Sequence, residues 1–219
     1  FFFKQKTAYE IPKRDWSSDV CSSDLHHIDP DRTWVANRNS WQGIAWNTKL
    51  VKDEEAPKTW EALLDPKWKG KIAWADSSGT GAPRLVTHLR KVLGEDKAMA
   101  YFKEMQRNDP RTLPGSVRTV LDQIIAGEYA VGASMSMHHI ADSQAKGAPI
   151  AGISPEPQLA RAQMLHYVKG APHPYAGMLF IDFIMSKDGG QAVYRDAKYN
   201  PTHPDVEPVP DRKSTRLNS

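Results

Sequence analysis

The sequence predicts a layered α/β fold with a largely parallel sheet. Three observations carry this. Short apolar runs of strand length alternate with segments whose apolar residues recur at helical spacing. Two small polar loops, at Ser77–Gly81 and at Gly115–Ser116, open helices in the same sense, as the carboxyl ends of parallel strands do. No internal repeat or low-complexity linker breaks the alternation.

Taken in order, WVANRNSWQGIAWN at 34–47 has aromatic and β-branched residues interrupted by Asn and Gly, which reads as one or two strands with a turn near Asn39 or Gly43. Thr59 caps a short helix, WEALL, that ends against Asp65-Pro66 and turns Trp60, Leu63 and Leu64 inward. IAWA at 72–75 is a buried strand. The loop DSSGTGAP follows, with hydroxyls on Ser77, Ser78 and Thr80, and with Gly79 and Gly81 allowing close approach to the backbone. Leu85, Val86, Leu89, Val92 and Leu93 then mark a helix that stops at Gly94, and Pro83 suits its first turn. A helix spans 95–107 with Ala98, Phe102 and Met105 inward, and 108–114 is too rich in Pro and Asn to continue it. From Ser116 a helix places Val117, Val120, Leu121, Ile124 and Ile125 on one face and ends at Gly127. A strand over 129–135, a short helix over 137–146, strands over 150–153 and 163–169, helices over 175–185 and 188–194, and an extended strap over 200–210 complete the chain.

The two ends read as nucleic-acid technology rather than protein. DRKSTRLNS at 211–219 is encoded by GATCGGAAGAGCACACGTCTGAACTCC. The reverse complement of that stretch, with one T in front, encodes WSSDVCSSD at 16–24. Natural termini do not encode each other, so 1–25 and 211–219 are assigned to read-through of a sequencing-library adapter and kept out of fold reasoning. Of the 29 basic and 26 acidic residues, these segments hold four of each at the start and three basic against one acidic at the end. The remainder carries 22 and 21, close to neutral, which gives no ground for nucleic acid or an anionic membrane as a partner. The single cysteine, Cys21, falls in the first of these segments, so disulfides, thiol nucleophiles and Cys-ligated metals drop out for 26–210. No apolar run approaches the roughly 20 residues that cross a bilayer.

Common catalytic patterns are absent. Gly79 and Gly81 start a dinucleotide-like turn whose third glycine would fall at Arg84, and no GxxxxGK, HExxH or GxSxG occurs. His138-His139 is the most suggestive pair. Neighbours on a helix point about 100° apart, so both reach one metal only at a helix start or in a loop; a polar helix entrance is the plainer reading. His166 and His173 fall near element ends, and the tryptophans are first of all core.

Several stretches carry a family resemblance: WNTKLV from Trp46, PKTWEALLDPKWKGKIAWADSSGTG from Pro57, IAGEYAVG from Ile125, KGAPI from Lys146, KGAPHPYAGMLFIDFIMSKDGGQ from Lys169 and PDV from Pro204. Together they resemble the extracellular solute-binding proteins of ABC importers, above all the ferric-ion-binding type, across nearly all of 34–206. The resemblance implies a two-lobed periplasmic-binding-protein type 2 fold that closes by a hinge over its ligand. Residues 26–50 would end lobe 1 and enter the hinge, 51–160 would form lobe 2, and 161–210 would return to lobe 1. The opening half of lobe 1, with any signal peptide, would be absent from this fragment. It implies a monomeric, non-enzymatic protein without cofactor, periplasmic or lipid-anchored, that passes a small solute to a membrane permease. Its ligand contacts would match Ser77, Ser78, Gly79, Thr80, Gly81, Gly115 and Ser116. One departure is chemical. Ferric members carry Tyr-Tyr where this chain has His138-His139, and hard ferric iron prefers phenolate to imidazole, so a small anionic organic solute competes with iron(III) as the cargo. Two other classes fit the same helix starts: a cytoplasmic α/β enzyme that grips a phosphorylated metabolite, and a sensory ligand-binding domain.

Overall fold

The computed structural model describes residues 33–77 and 81–207, so the adapter-like segments at 1–25 and 211–219 lie outside the described residues. The described residues form two compact units, one within Trp41–Ala160 and one made of 33–40 with 161–207. The strands are β1 (Trp34–Asn47), β2 (Ile72–Ala75), β3 (Arg111–Leu113), β4 (Val131–Ser136), β5 (Ile150–Ile153), β6 (Leu159–His166) and β7 (Asn200–Pro201). The helices are α1 (Ala82–Leu93), α2 (Glu95–Gln106), α3 (Val117–Ala126), α4 (Met137–Ala145), α5 (Pro174–Met185) and α6 (Ala192–Asp196).

In the unit Trp41–Ala160 the sheet order is β3-β2-β4-β1-β5. β2 pairs parallel with both β3 and β4, while β1 runs antiparallel to β4 and β5. Four of these strands therefore share one direction and β1 is reversed, so the sheet is mixed, parallel across β3-β2-β4 and antiparallel wherever β1 pairs, rather than largely parallel as expected. Buried residues lie on both faces. On one, Trp60, Leu63, Trp68, Leu85, Leu89, Tyr101 and Met105 pack with Ile44 and Trp46. On the other, Val117, Val120, Leu121 and Ile124 of α3 pack with Met135 and Ile140. Tyr101 was not among the expected inward residues; its hydroxyl donates to the Trp60 carbonyl at 2.7 Å, and burial pushes its ionisation far above the usual phenol range. Asn47 ends β1 and donates through Nδ2 to the carbonyls of Ile124 and Ile125, at 2.8 and 3.1 Å, so a strand end closes the last turn of α3. Gly127, at φ 90° and ψ 11°, completes that end as a left-handed cap.

Several elements differ from the sequence reading. Trp34–Asn47 is one strand without a turn, and the irregularity expected near Gly43 is a register shift against β4 between Gly43 and Ala45. Residues 111–113, read only as a break, form β3, because pairing with β2 supplies hydrogen bonds that a Pro-flanked tripeptide cannot signal locally. β4 and β6 begin later and earlier, respectively, than expected, and 188–194 is a π-type turn at Lys187–Gln191 followed by α6.

In the other unit, β7 pairs with the first half of β1 through Arg38 with Pro201 and Asn39 with Asn200. Its core is small: Val35, Ile181 and Met185 are buried, with Leu165 and Tyr167 packed against them. Gln191 is fully buried and holds the strap in place. Nε2 donates to the carbonyls of Asn37 and Ile184 at 2.8 and 3.0 Å, and Oε1 accepts from the amides of Thr202 and His203 at 2.8 and 3.1 Å. α5 is apolar nearly all round, and Tyr175, Leu179 and Phe183 are 74, 71 and 53 % exposed on it.

Candidate functional site

Because β3, β2 and β4 are neighbours in one direction, their carboxyl ends open at the same edge of the sheet. From that edge β2 leads into Asp76, Ser77 and the loop before α1, β3 leads to Gly115 and Ser116 at the start of α3, and β4 runs straight into α4 with its His138 and His139. The structure thus brings Ser77, Gly81, Gly115, Ser116, His138 and His139 to one edge. Ser78, Gly79 and Thr80 lie outside the described residues.

Two hydrogen bonds fix the first two segments together. The Asp76 amide donates to the Leu113 carbonyl at 3.0 Å, and the Asp76 carboxylate accepts from the Gly115 amide at 3.2 Å. Asp76 opens the loop singled out in the sequence but was given no role there; an acid directly after a buried strand was the available signal. Gly81 sits at φ 76°, and a Cβ there would strike the Ala75 carbonyl oxygen, so the return of the loop onto β2 requires glycine.

The three helix starts differ. Ser116 caps α3, its Oγ accepting from the Thr119 amide at 3.1 Å and sharing a hydrogen bond with Thr119 Oγ1 at 3.0 Å. The N-cap residues of α1 and α4, Gly81 and Ser136, lend no side-chain cap hydrogen bond among the described residues. Uncapped first-turn amides at the positive end of a helix favour an anion or a polar oxygen.

β4 carries a distortion beside the histidines. Ser134 lies at φ 59° inside the strand, at the register shift against β1, and its Oγ donates to Gln42 Oε1 at 3.1 Å. Bulges re-aim the residues that follow them, and here those are Ser136, His138 and His139. The two imidazoles lie in contact with centroids 4.1 Å apart and their planes tilted by 59°. Burial, reinforced by the Arg118 guanidinium, holds His139 below its ordinary pKa, and the carboxylates of Asp142 and Asp122 oppose that only in part. Asp142 is itself held below the usual carboxylate range, first by its hydrogen bond from Lys146. Among the described residues no group of three or more His, Cys, Asp or Glu gathers to hold a metal. A separate open depression of about 680 Å³, lined among others by Val51, Trp68, Lys71 and Tyr129, lies where β2 and β4 begin, and none of the expected ligand-contact residues lines it.

Comparison with known proteins gives a consistent picture. A family model described as bacterial extracellular solute-binding protein matches residues 2–216. The chain is 28 % identical over 196 residues to iron uptake protein A1 of Synechocystis sp., covering 84 % of this chain and 53 % of that protein. It is 23 % identical over 215 residues to a putative 2-aminoethylphosphonate-binding periplasmic protein of Salmonella typhi, covering 94 % of this chain and 61 % of that protein. Among solved structures, the periplasmic binding protein AfuA of Actinobacillus pleuropneumoniae, with fructose-6-phosphate bound, superposes with a TM-score of 0.69 at 29 % identity, covering 84 % of this chain and 62 % of that one. The chain spans about half the length of the curated relatives it matches. No helix among the described residues is long and apolar enough to cross a membrane.

Proposed function

The chain belongs to the bacterial extracellular solute-binding proteins, and from that premise we propose that the complete protein is the substrate-binding component of an ABC importer, working outside the cytoplasmic membrane and delivering a small organic anion to a permease. A phosphoryl or phosphonyl group is the chemistry we assign to the cargo. The observation that carries this is the shared edge at which the starts of α1 and α4 meet the Ser116 cap of α3 and a histidine pair. Backbone amides and hydroxyls there suit the oxygens of a tetrahedral anion. Imidazoles suit it as donors, whereas ferric iron would favour phenolates in their place. The solutes named for two relatives, fructose-6-phosphate and 2-aminoethylphosphonate, have this group in common. We assign ligand contacts to Ser77, Ser78, Gly79, Thr80, Gly81, Gly115, Ser116, His138 and His139.

Calorimetry on the complete protein with fructose-6-phosphate, 2-aminoethylphosphonate, inorganic phosphate and ferric citrate tests the reading. A phosphoryl or phosphonyl compound is expected to bind, with affinity rising as pH falls through the histidine range, because an imidazolium attracts an anion. Ser77→Ala is expected to weaken that binding by roughly 1 to 3 kcal/mol, the worth of a hydrogen bond to a charged acceptor. Tight binding of iron that weakens on acidification, with no response to the organic anions, would replace this cargo with the metal.

A further inference from the structure

We propose that Arg118 is a positioning residue of the solute site, its guanidinium tying the capped start of α3 to α4 and so fixing where His138 and His139 stand relative to Ser116. The proposal rests on the solute reading above for its functional meaning, and on geometry for its content. Arg118 is the second residue of α3, where the helix dipole disfavours a cation. Its partner Asp122 lies four residues later, the weaker orientation for a helical ion pair. Helix stability therefore does not account for an arginine here.

What the arginine gains lies across the helix boundary. Nε and Nη2 grip the two Asp122 oxygens at 3.3 and 2.7 Å, while Nη1 donates to the buried Ser143 Oγ on α4 at 3.1 Å and stands 4.0 Å from Asp142 Oδ2. Asp142 is held in turn by Lys146 at 2.8 Å. Only a planar fork reaches two helices at once in this way; a lysine would supply the charge without the second link. α4 is nine residues long and starts without a side-chain cap, so contacts to its neighbours set its placement. The charged and titratable groups facing His139 are Arg118 and Asp122 from α3, and Asp142 with the His138 ring from its own helix.

Proton NMR titration of the histidines in the 219-residue chain, with His139 assigned through His139→Gln, tests this together with amide exchange in α4. Arg118→Met is expected to move the His139 midpoint up toward 6.5 and to speed exchange in α4. Arg118→Lys is expected to keep the midpoint low while exchange still speeds up, which separates charge from fork. Asp122→Asn is expected to lower the midpoint further, and it decides the question if Arg118→Met does not fold. An unmoved midpoint and unchanged exchange in Arg118→Met, or an unmoved midpoint in Asp122→Asn, would overturn the proposal. None of these measurements needs a solute. A protein that shows them all and binds none of the four compounds named above would defeat the cargo reading alone.

Discussion

Gln191 shows how much of the smaller unit depends on one side chain. All four of its hydrogen-bonding positions are used, on backbone groups from three stretches of chain, at Asn37, at Ile184 and at Thr202–His203. Gln191→Leu keeps the volume and strands those partners, so unfolding in urea is expected to show a loss of about 2 to 4 kcal/mol, given about 1 to 3 for each buried group left unpaired, less what relaxation recovers. His139 gives a pH signature at the same scale. Its folded pKa lies below the 6.5 of the unfolded chain, so the unfolded state binds the proton first as pH drops. Stability contributed by the neutral ring is whole above about pH 6.5 and is lost as pH falls toward the folded value. Urea midpoints at pH 7.5 and 5.5 are expected to converge in His139→Gln relative to the parent chain. Neither Gln191 nor Arg118 drew notice in the sequence, because a polar residue amid polar residues gives no periodic signal and its partners are remote in the chain.

Elements were more legible where the sequence itself punctuates. Ser116 before an apolar helical stripe and Gly127 after it mark both ends of α3, and the structure places its cap and its left-handed stop there. Ser116→Ala is expected to cost about 1 kcal/mol in thermal or urea unfolding, the usual worth of an N-cap. β2 and β5 were legible to the residue because each is a short apolar run bounded by turn formers. β3 was not, since three exposed or half-buried residues become a strand only through the neighbour that pairs with them. The bulge at Ser134 was hidden for the same reason: serine carries no sign of a left-handed backbone, and the constraint comes from the register of β1. What could be read of the site was the amides and hydroxyls of its helix starts; the contacts that hold its walls together are tertiary.

At the scale of the molecule, the exposed apolar residues of α5 stand against relatives about twice as long as this chain. We propose that this face meets further chain in the longer protein that those relatives suggest. Leu179→Glu with Phe183→Glu is expected to reduce the binding of a hydrophobic dye by the 219-residue chain without lowering its unfolding midpoint. In the complete protein the same pair is expected to cost several kcal/mol, because it places charges in a packed apolar contact.

One feature of the chain's path bears on the order in which it becomes structured. The smaller unit is assembled from two stretches with all of Trp41–Ala160 between them, and Arg38 meets Pro201 only after that intervening unit has been made. On a ribosome, the larger unit emerges whole and contains every partner of its own sheet core, while the first half of β1 waits for the last strand to be translated. Closing so long a loop is entropically cheaper once its middle is already compact, since a folded body spans the gap in place of a fluctuating chain. Synthesis therefore favours a path in which the unit Trp41–Ala160 matures before Gln191 pins the strap.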